Sequence, residues 1–299
     1  MIVVFGSINV DLVARVRRLP RDGETLTGQS FAMLPGGKGA NQALAANRAG
    51  SDVRLFGCVG GADGLAVVAL REISRSSIDA TGVIECDAST GVALIHVDDD
   101  GENCITVVAG ANANARASQV PDEILSRDTV VLMQLEVPID DVALLARRAR
   151  SRGARVVLNA APAAQLPPSL LNDVDVLVVN ESEALALDDS ASPDPQAAAR
   201  NLASASRTVI VTCGANGALY VHRGELRVQR SARIEAVDTV GAGDALTGAL
   251  AAALDRGDDF ATALREGVAA GSLACLTPGA QTSLPDRKSI LQMAATLIA

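Results

Sequence analysis

The chain has 299 residues and a formal net charge of −9, with 48% hydrophobic, 2% aromatic and 20% charged residues. That length can bury a large core as one α/β domain carrying a small appendage. The acidic balance speaks against nucleic-acid backbones and anionic membrane surfaces as partners, because both need a basic face.

The chain opens on the apolar run Ile2-Val3-Val4-Phe5. No basic segment precedes a long apolar stretch, so the expectation is a cytoplasmic protein with no signal peptide or membrane span. Residues 11–33 have hairpin character. Pro35-Gly36-Gly37-Lys38-Gly39-Ala40-Asn41-Gln42 then breaks the chain and opens a helix through Ala43, Leu44, Ala46 and Ala49, which Gly50 closes. Lys38 stands out because Lys288 is the only other lysine among basic residues that are otherwise arginine.

Further on, short β-branched runs at 55–60, 130–135, 155–159, 174–180 and 208–213 read as buried strands of a largely parallel sheet. Between them, 63–74 and 138–152 carry helical spacing, which predicts a doubly wound, largely parallel α/β sheet flanked by helices. Residues 89–108 depart from this alternation: two β-rich runs flank the turn Asp98-Asp99-Asp100-Gly101. Together with 11–34 they predict a small second β-sheet on a single domain spanning 1–299. The stretch 188–195, rich in Asp, Ser and Pro, reads as a surface loop.

The stretch 238–244, Asp-Thr-Val-Gly-Ala-Gly-Asp, points most directly at chemistry. The apolar spacing of Ala245, Leu246, Ala249, Leu250 and Ala253 puts Asp244 in the first turn of a helix. Free amides and the positive end of the helix dipole then form an anion site at Gly241, Ala242 and Gly243. A P-loop is excluded because Gly39, not Ser or Thr, follows Lys38, and a dinucleotide fingerprint fails where Leu246 replaces its third glycine. Five cysteines without a C-x-x-C pair and only two histidines disfavour structural zinc, a disulfide framework and a Ser-His-Asp hydrolase.

An ordered set of motifs spanning nearly the whole chain resembles the ribokinase/PfkB family of sugar and nucleoside kinases. It runs through Gly6-Ser7-Ile8-Asn9-Val10-Asp11, 36–42, Ser89-Thr90-Gly91, Ala109-Gly110-Ala111-Asn112, Met133-Gln134-Leu135-Glu136, Asn159 to Ala163, Asn180 to Glu183, 238–244 and Gly279-Ala280-Gln281-Thr282-Ser283. The resemblance implies transfer of the γ-phosphoryl group of ATP to the 5-hydroxyl of ribose, with deoxyribose, fructose, another sugar or a nucleoside as the alternative acceptor. A non-catalytic sugar- or nucleotide-binding regulator on the same fold is the reading from another class.

By the same resemblance, Asp244 is the base and Gly241, Ala242 and Gly243 the anion hole. Asn9, Asp11, Gly37, Lys38, Asn41 and Glu136 are the sugar contacts. Asn180, Thr212, Gly214, Gly217 and Gly243 serve ATP, although a glycine loop such as 212–217 also reads as an ordinary turn. With a single Tyr, four Phe and no Trp in the chain, the adenine is expected between aliphatic side chains and backbone. Glu183 organises Mg²⁺ through water in the family pattern; by itself, without the neighbouring motifs, it reads first as a solvated glutamate at a helix start. Asp238 and Ser283, with backbone oxygens of Val240, Ala274, Thr277 and Gly279, match a site for an activating K⁺. Thr277-Pro278 departs from the Arg-containing sequence frequent at that loop, and Val268 replaces a polar nucleotide contact. The resemblance also implies that the inserted segments at about 11–34 and 89–108 form a small β-sheet lid over the sugar, and a homodimer formed through that lid.

Overall fold

The structure, a computed structural model, describes residues 1–61, 63–190, 193–204 and 206–297. In chain order the first half contains β1 (Ile2–Phe5), β2 (Asn9–Arg15), β3 (Ser30–Gly36), α1 (Lys38–Arg48), β4 (Val53–Gly60), α2 (Leu65–Ala69), α3 (Arg71–Ser74), β5 (Asp79–Cys86), β6 (Gly91–Val97) and β7 (Asn103–Val108). After three short 3-10 turns come β8 (Val130–Met133), α4 (Ile139–Ser151), β9 (Arg155–Asn159), α5 (Pro168–Asn172), β10 (Val176–Asn180), α6 (Glu181–Leu187) and α7 (Pro195–Leu202). The chain closes with β11 (Thr208–Thr212), β12 (Ala218–His222), β13 (Glu225–Gln229), α8 (Ala242–Asp255), α9 (Phe260–Ala274) and α10 (Arg287–Ala294).

Nine strands form the main sheet in the order β13-β12-β11-β10-β9-β8-β1-β4-β5. The seven from β11 to β5 pair in parallel, and β12 and β13 add an antiparallel edge. In β1, Ile2 and Val4 face one core with α1, α8 and α9, while Val3 and Phe5 face a second with α4 and α7. Burial on both faces is what a continuous apolar run in a parallel sheet requires. Three features differ from expectation. Helix 63–74 is broken at Leu70 into α2 and α3, and β5 and the β12–β13 hairpin carry sheet where no strand was read. Of the loop at 188–195, positions 191 and 192 lie outside the described residues, and Pro195 begins α7.

The second sheet has the order β3-β2-β6-β7. β2 continues from β1 within a few residues and pairs antiparallel with β3, whose last residue, Gly36, lies opposite Asn9. β6 joins β2 in parallel and β7 returns antiparallel through the expected turn, where Gly101 has φ 84°. This is the expected lid, and it stands on the C-terminal end of β1.

α1 and α8 press together through small residues. A Cβ added at Gly248 would lie 2.5 Å from Cβ of Ala45 and 2.7 Å from the carbonyl oxygen of Gln42. Gly248→Val should therefore force the two helices apart and lower unfolding stability by about 1–3 kcal/mol, the range for overpacked cores, as read by urea denaturation. An unchanged midpoint would show that the helices can separate without loss.

Candidate active site

Two helix starts and the ends of several strands converge at one place. α8 begins where Gly241 adopts a left-handed turn, φ 78°, a conformation that L side chains resist. A Cβ there would also lie 2.9 Å from Cα of Ala280, so the glycine seats α8 against the 279–283 loop. Asp244 follows in the first turn, only 6% exposed. Its carboxylate accepts two hydrogen bonds from α1: Asn41 Nδ2 donates to Oδ2 at 2.9 Å and Gln42 Nε2 to Oδ1 at 2.8 Å. Gln42 Nε2 donates also to Oδ1 of Asn159, at the end of β9.

The amides at this helix start are not equivalent. The Ala242 N–H donates to the Thr239 carbonyl at 3.3 Å and closes the turn. Among the described residues the amides of Gly241 and Gly243 take no backbone partner, and a Cβ at Gly243 would meet nothing within 4 Å. Of the three amides expected to face an anion, Gly243 borders open space.

At the base of the lid stands a cluster of acids around one lysine. α1 starts at Lys38 because Gly37, at φ 89°, turns the chain out of β3. The Lys38 N–H donates to Glu136 Oε2 at 3.1 Å, and the Ser7 hydroxyl donates to the same oxygen. Burial pulls the Lys38 ammonium down, but the fields of Asp244, Glu136, Glu183 and Asp11 outweigh it and leave its pKa above the ordinary value. Half-buried Asp11 is pushed up to about 7, first by burial and then by Glu136 and Asp244, against the opposing pull of Lys38. Asn9, 3% exposed, accepts at Oδ1 from Asn112 Nδ2 at 2.6 Å. Its own NH₂ group therefore remains the end with donors to offer. Asn112 is held in turn by the Ile8 backbone; sequence reading passed over its role although it lies in a quoted motif.

On the other side of Gly243 opens a cavity of about 610 Å³. Thr212, Gly214 and Gly217 line one side, Leu246 of α8, Val268, Gly271 and Ser272 of α9 and Cys275 just past its end the other. Among the described residues no aromatic ring lines it. Residues 231–236, an irregular stretch with no sequence signal, supply the remaining wall. Asn180 does not line this cavity. It caps α6, accepting from the Glu183 N–H at 2.7 Å, while the Glu183 carboxylate takes the Asn180 N–H at 2.8 Å. Glu183 thus does the work of a capping box. Burial raises its pKa, against the pull of the Asn180 amide and Lys38, and one of its oxygens stays outside the cap.

Asp238 ties two loops together: Oδ1 accepts the Val240 N–H at 3.0 Å and Oδ2 the Gly279 N–H at 2.8 Å. Ser283, which is buried, donates to the Ala280 carbonyl at 3.0 Å. A carboxylate, a hydroxyl and backbone carbonyls are hard oxygen donors, the chemistry that suits an alkali cation. Among the described residues, no three His, Cys, Asp or Glu side chains gather to hold a metal. Mg²⁺ would accordingly rest on Glu183, phosphate oxygens and water, which is its usual habit.

A buried acid at a helix start, set between a polar cluster and a nucleotide-sized cavity, defines a small-molecule phosphotransferase. The chain belongs to the pfkB family of carbohydrate kinases, whose profile matches residues 1–287. It is similar to the ribokinase of Haemophilus influenzae, with 36% identity over 97% of either chain. Among solved structures it resembles the ribokinase of Thermotoga maritima, with TM-score 0.90 and 32% identity over 98% of this chain and 99% of that one. It also resembles the ribokinase of Arabidopsis thaliana complexed with ribose and ATP, with TM-score 0.87 and 30% identity over 98% of each.

Asp11 gives a sign-definite test. With a folded pKa of about 7, the folded state holds a proton that the unfolded chain releases near pH 4. The folded state binds more protons across that window, so this group's contribution to stability falls as pH rises through it. Asp11→Asn should melt higher than the wild type at pH 8, with the gap closing towards about pH 4. A gap that does not vary with pH would exclude the raised pKa.

Proposed function

We propose that this protein transfers the γ-phosphoryl group of ATP to the 5-hydroxyl of D-ribose, giving ribose 5-phosphate and ADP. The observation that carries this reading is the position of Asp244, between the lid cluster and the nucleotide cavity, with both carboxylate oxygens held by amides of α1. The names of the relatives support ribose as the acceptor, and the polar cluster of Asn9, Asp11, Lys38 and Glu136 suits a small polyol.

Asp244 takes the hydroxyl proton as the new O–P bond forms, the bond from the γ-phosphorus to the β–γ bridging oxygen breaks, and ADP leaves with that oxygen. A carboxylate is a weak base, which suits a proton that departs late in phosphoryl transfer. The Gly243 amide and the positive end of α8 stabilise charge on the transferring group. Asn9 and Glu136 orient the sugar. Thr212, Gly214 and Gly217 hold the nucleotide while Leu246 and Val268 pack its base. Bound Mg²⁺, held near Glu183, supplies charge neutralisation on the phosphates, and K⁺ at Asp238 and Ser283 would fix the loops on which α8 begins.

The lid supports a homodimer as well. β7 is exposed along its whole length, with Ile105, Val107 and Val108 uncovered, and Phe31 on β3 is 64% exposed. No helix among the described residues is long and apolar enough to cross a membrane.

ATP consumption over a panel of sugars and nucleosides, with Mg²⁺ and in K⁺ or Na⁺, should show ribose with the highest kcat/KM and stimulation by K⁺. A better acceptor elsewhere in the panel would overturn the ribose reading while keeping the chemistry. Asp244→Asn should retain sugar binding and lose roughly 10²–10⁴ in kcat; full activity would end its role as base. Sedimentation should find a dimer that Ile105→Asp dissociates, and a wild-type monomer would remove the lid interface.

A further inference from the structure

Behind Asn41 and Gln42 lies a second tier of amides. Gln281 Nε2 donates to Asn41 Oδ1 at 3.1 Å, and Gln134 Nε2 donates to Gln42 Oε1 at 2.6 Å. Both outer glutamines are sealed from solvent, Gln134 at 0% and Gln281 at 1% exposure. Among the described residues neither Gln134 Oε1 nor Gln281 Oε1 has a hydrogen-bond partner. The Gln134 oxygen instead sits where a Cβ of Gly6 would be, 1.9 Å from that ideal position. A buried acceptor without a donor costs stability, and an apolar side chain of similar length would avoid that cost. Fold stability therefore does not account for these two glutamines.

The direction of their hydrogen bonds does. A primary amide is nearly symmetric in shape, so Asn41 or Gln42 could present either its NH₂ or its oxygen to Asp244. An ionised carboxylate only accepts, and an amide oxygen turned towards it would repel it. With NH₂ groups facing Asp244, the oxygens of Asn41 and Gln42 face away and need donors. Gln281 and Gln134 supply them, one to each amide. Asn159 adds a third restraint, accepting from Gln42 Nε2 at 2.9 Å while its own Nδ2 donates to the Val178 carbonyl at 3.1 Å.

We propose that Gln134 and Gln281 are positioning residues for phosphoryl transfer: each fixes the orientation of an α1 amide, so that Asp244 keeps both donors and a fixed pair of lone pairs for the acceptor hydroxyl. The proposal rests on Asp244 as the base. The two glutamines act through Asn41 and Gln42; Gln42 is no sugar contact, so the influence of Gln134 reaches the chemistry through that carboxylate.

The test compares Gln134→Met and Gln134→Glu, measured with ATP and ribose. Met removes the donor and the partnerless oxygen together. Glu keeps the shape and, measured at a pH high enough to ionise it at this buried position, accepts only, so it turns the Gln42 NH₂ towards itself and the Gln42 oxygen towards Asp244. The expected order of kcat is wild type above Met above Glu, with Met down about 10- to 100-fold, the scale of a misplaced catalytic group. KM for both substrates should stay within about twofold, and the melting temperature of the Met variant should equal or exceed that of the wild type. A packing role would give the opposite order, with isosteric Glu nearest the wild type, and would overturn the proposal. In an Asp244→Asn background, Gln134→Met should have no further effect on kcat; an undiminished loss there would also overturn it. Gln281→Met should repeat the kcat loss through Asn41 and provides the same comparison if Gln134→Met does not fold. Absence of wild-type activity on ribose would instead refute the proposed function, and the amide relay would then be judged with the acceptor that the panel identifies.

Discussion

Everything chemical in this molecule depends on how closely α8 lies on α1. Gly248 leaves room for Ala45 and for the Gln42 carbonyl, and the helix starts that carry the reactive groups sit a turn or two from that contact. One start presents Lys38, Asn41 and Gln42, the other Gly243 and Asp244. A methyl group inserted between the helices would be felt as a shift in the 2.8 and 2.9 Å bonds to Asp244, because packed helices move as bodies rather than deforming locally. The extensive core behind them, built on β1, β4 and β8, holds the contact rigid.

Charge is organised with similar economy. The chain has a net charge of −9, yet its proposed co-substrates include a polyanion. A broad basic surface would answer that need at the cost of attracting every anion. Here the answer is local: one lysine among four carboxylates, backbone amides at a helix start and an anchored loop of oxygens. Lys38 is so placed that Asp244, Glu136, Glu183 and Asp11 all hold it charged, while burial first, and then Glu136 and Asp244, push the Asp11 pKa up to about 7.

Much of this was legible in the sequence. The β-branched runs at 155–159 and 208–213 became β9 and β11 within a residue, because fully buried parallel strands leave a continuous apolar trace. The Gly-Ala-Gly-Asp stretch announced the start of α8. β5 escaped notice because it is an edge strand, half-exposed, with no clean alternation or apolar run; β13 is mostly exposed for the same reason. Asn180 and Glu183 show a different limit. An Asn three residues before a Glu is also the pattern of a capping box, and the structure uses both side chains that way. The amides of Gln42 and Gln134 lie in motifs that could be read one by one, but their bond spans 92 residues of sequence, and Gln281 reaches Asn41 across 240. Local periodicity carries no trace of such pairings.

The lid sheet has a consequence for how this architecture diversifies. The proposed acceptor site draws on β2, β3 and the start of α1, whereas the cavity proposed for the nucleotide is walled by the loop after β11, the 231–236 stretch and α9. The two approach each other at the start of α8, around Gly243 and Asp244. Substitutions in the lid can retune one half without touching the walls of the other, so duplicated copies of such a gene are free to drift to new acceptors while inheriting an unaltered engine. The separation makes the molecule a cassette: a constant phosphate donor compartment joined, through a single helical turn, to an exchangeable reader of small polyols.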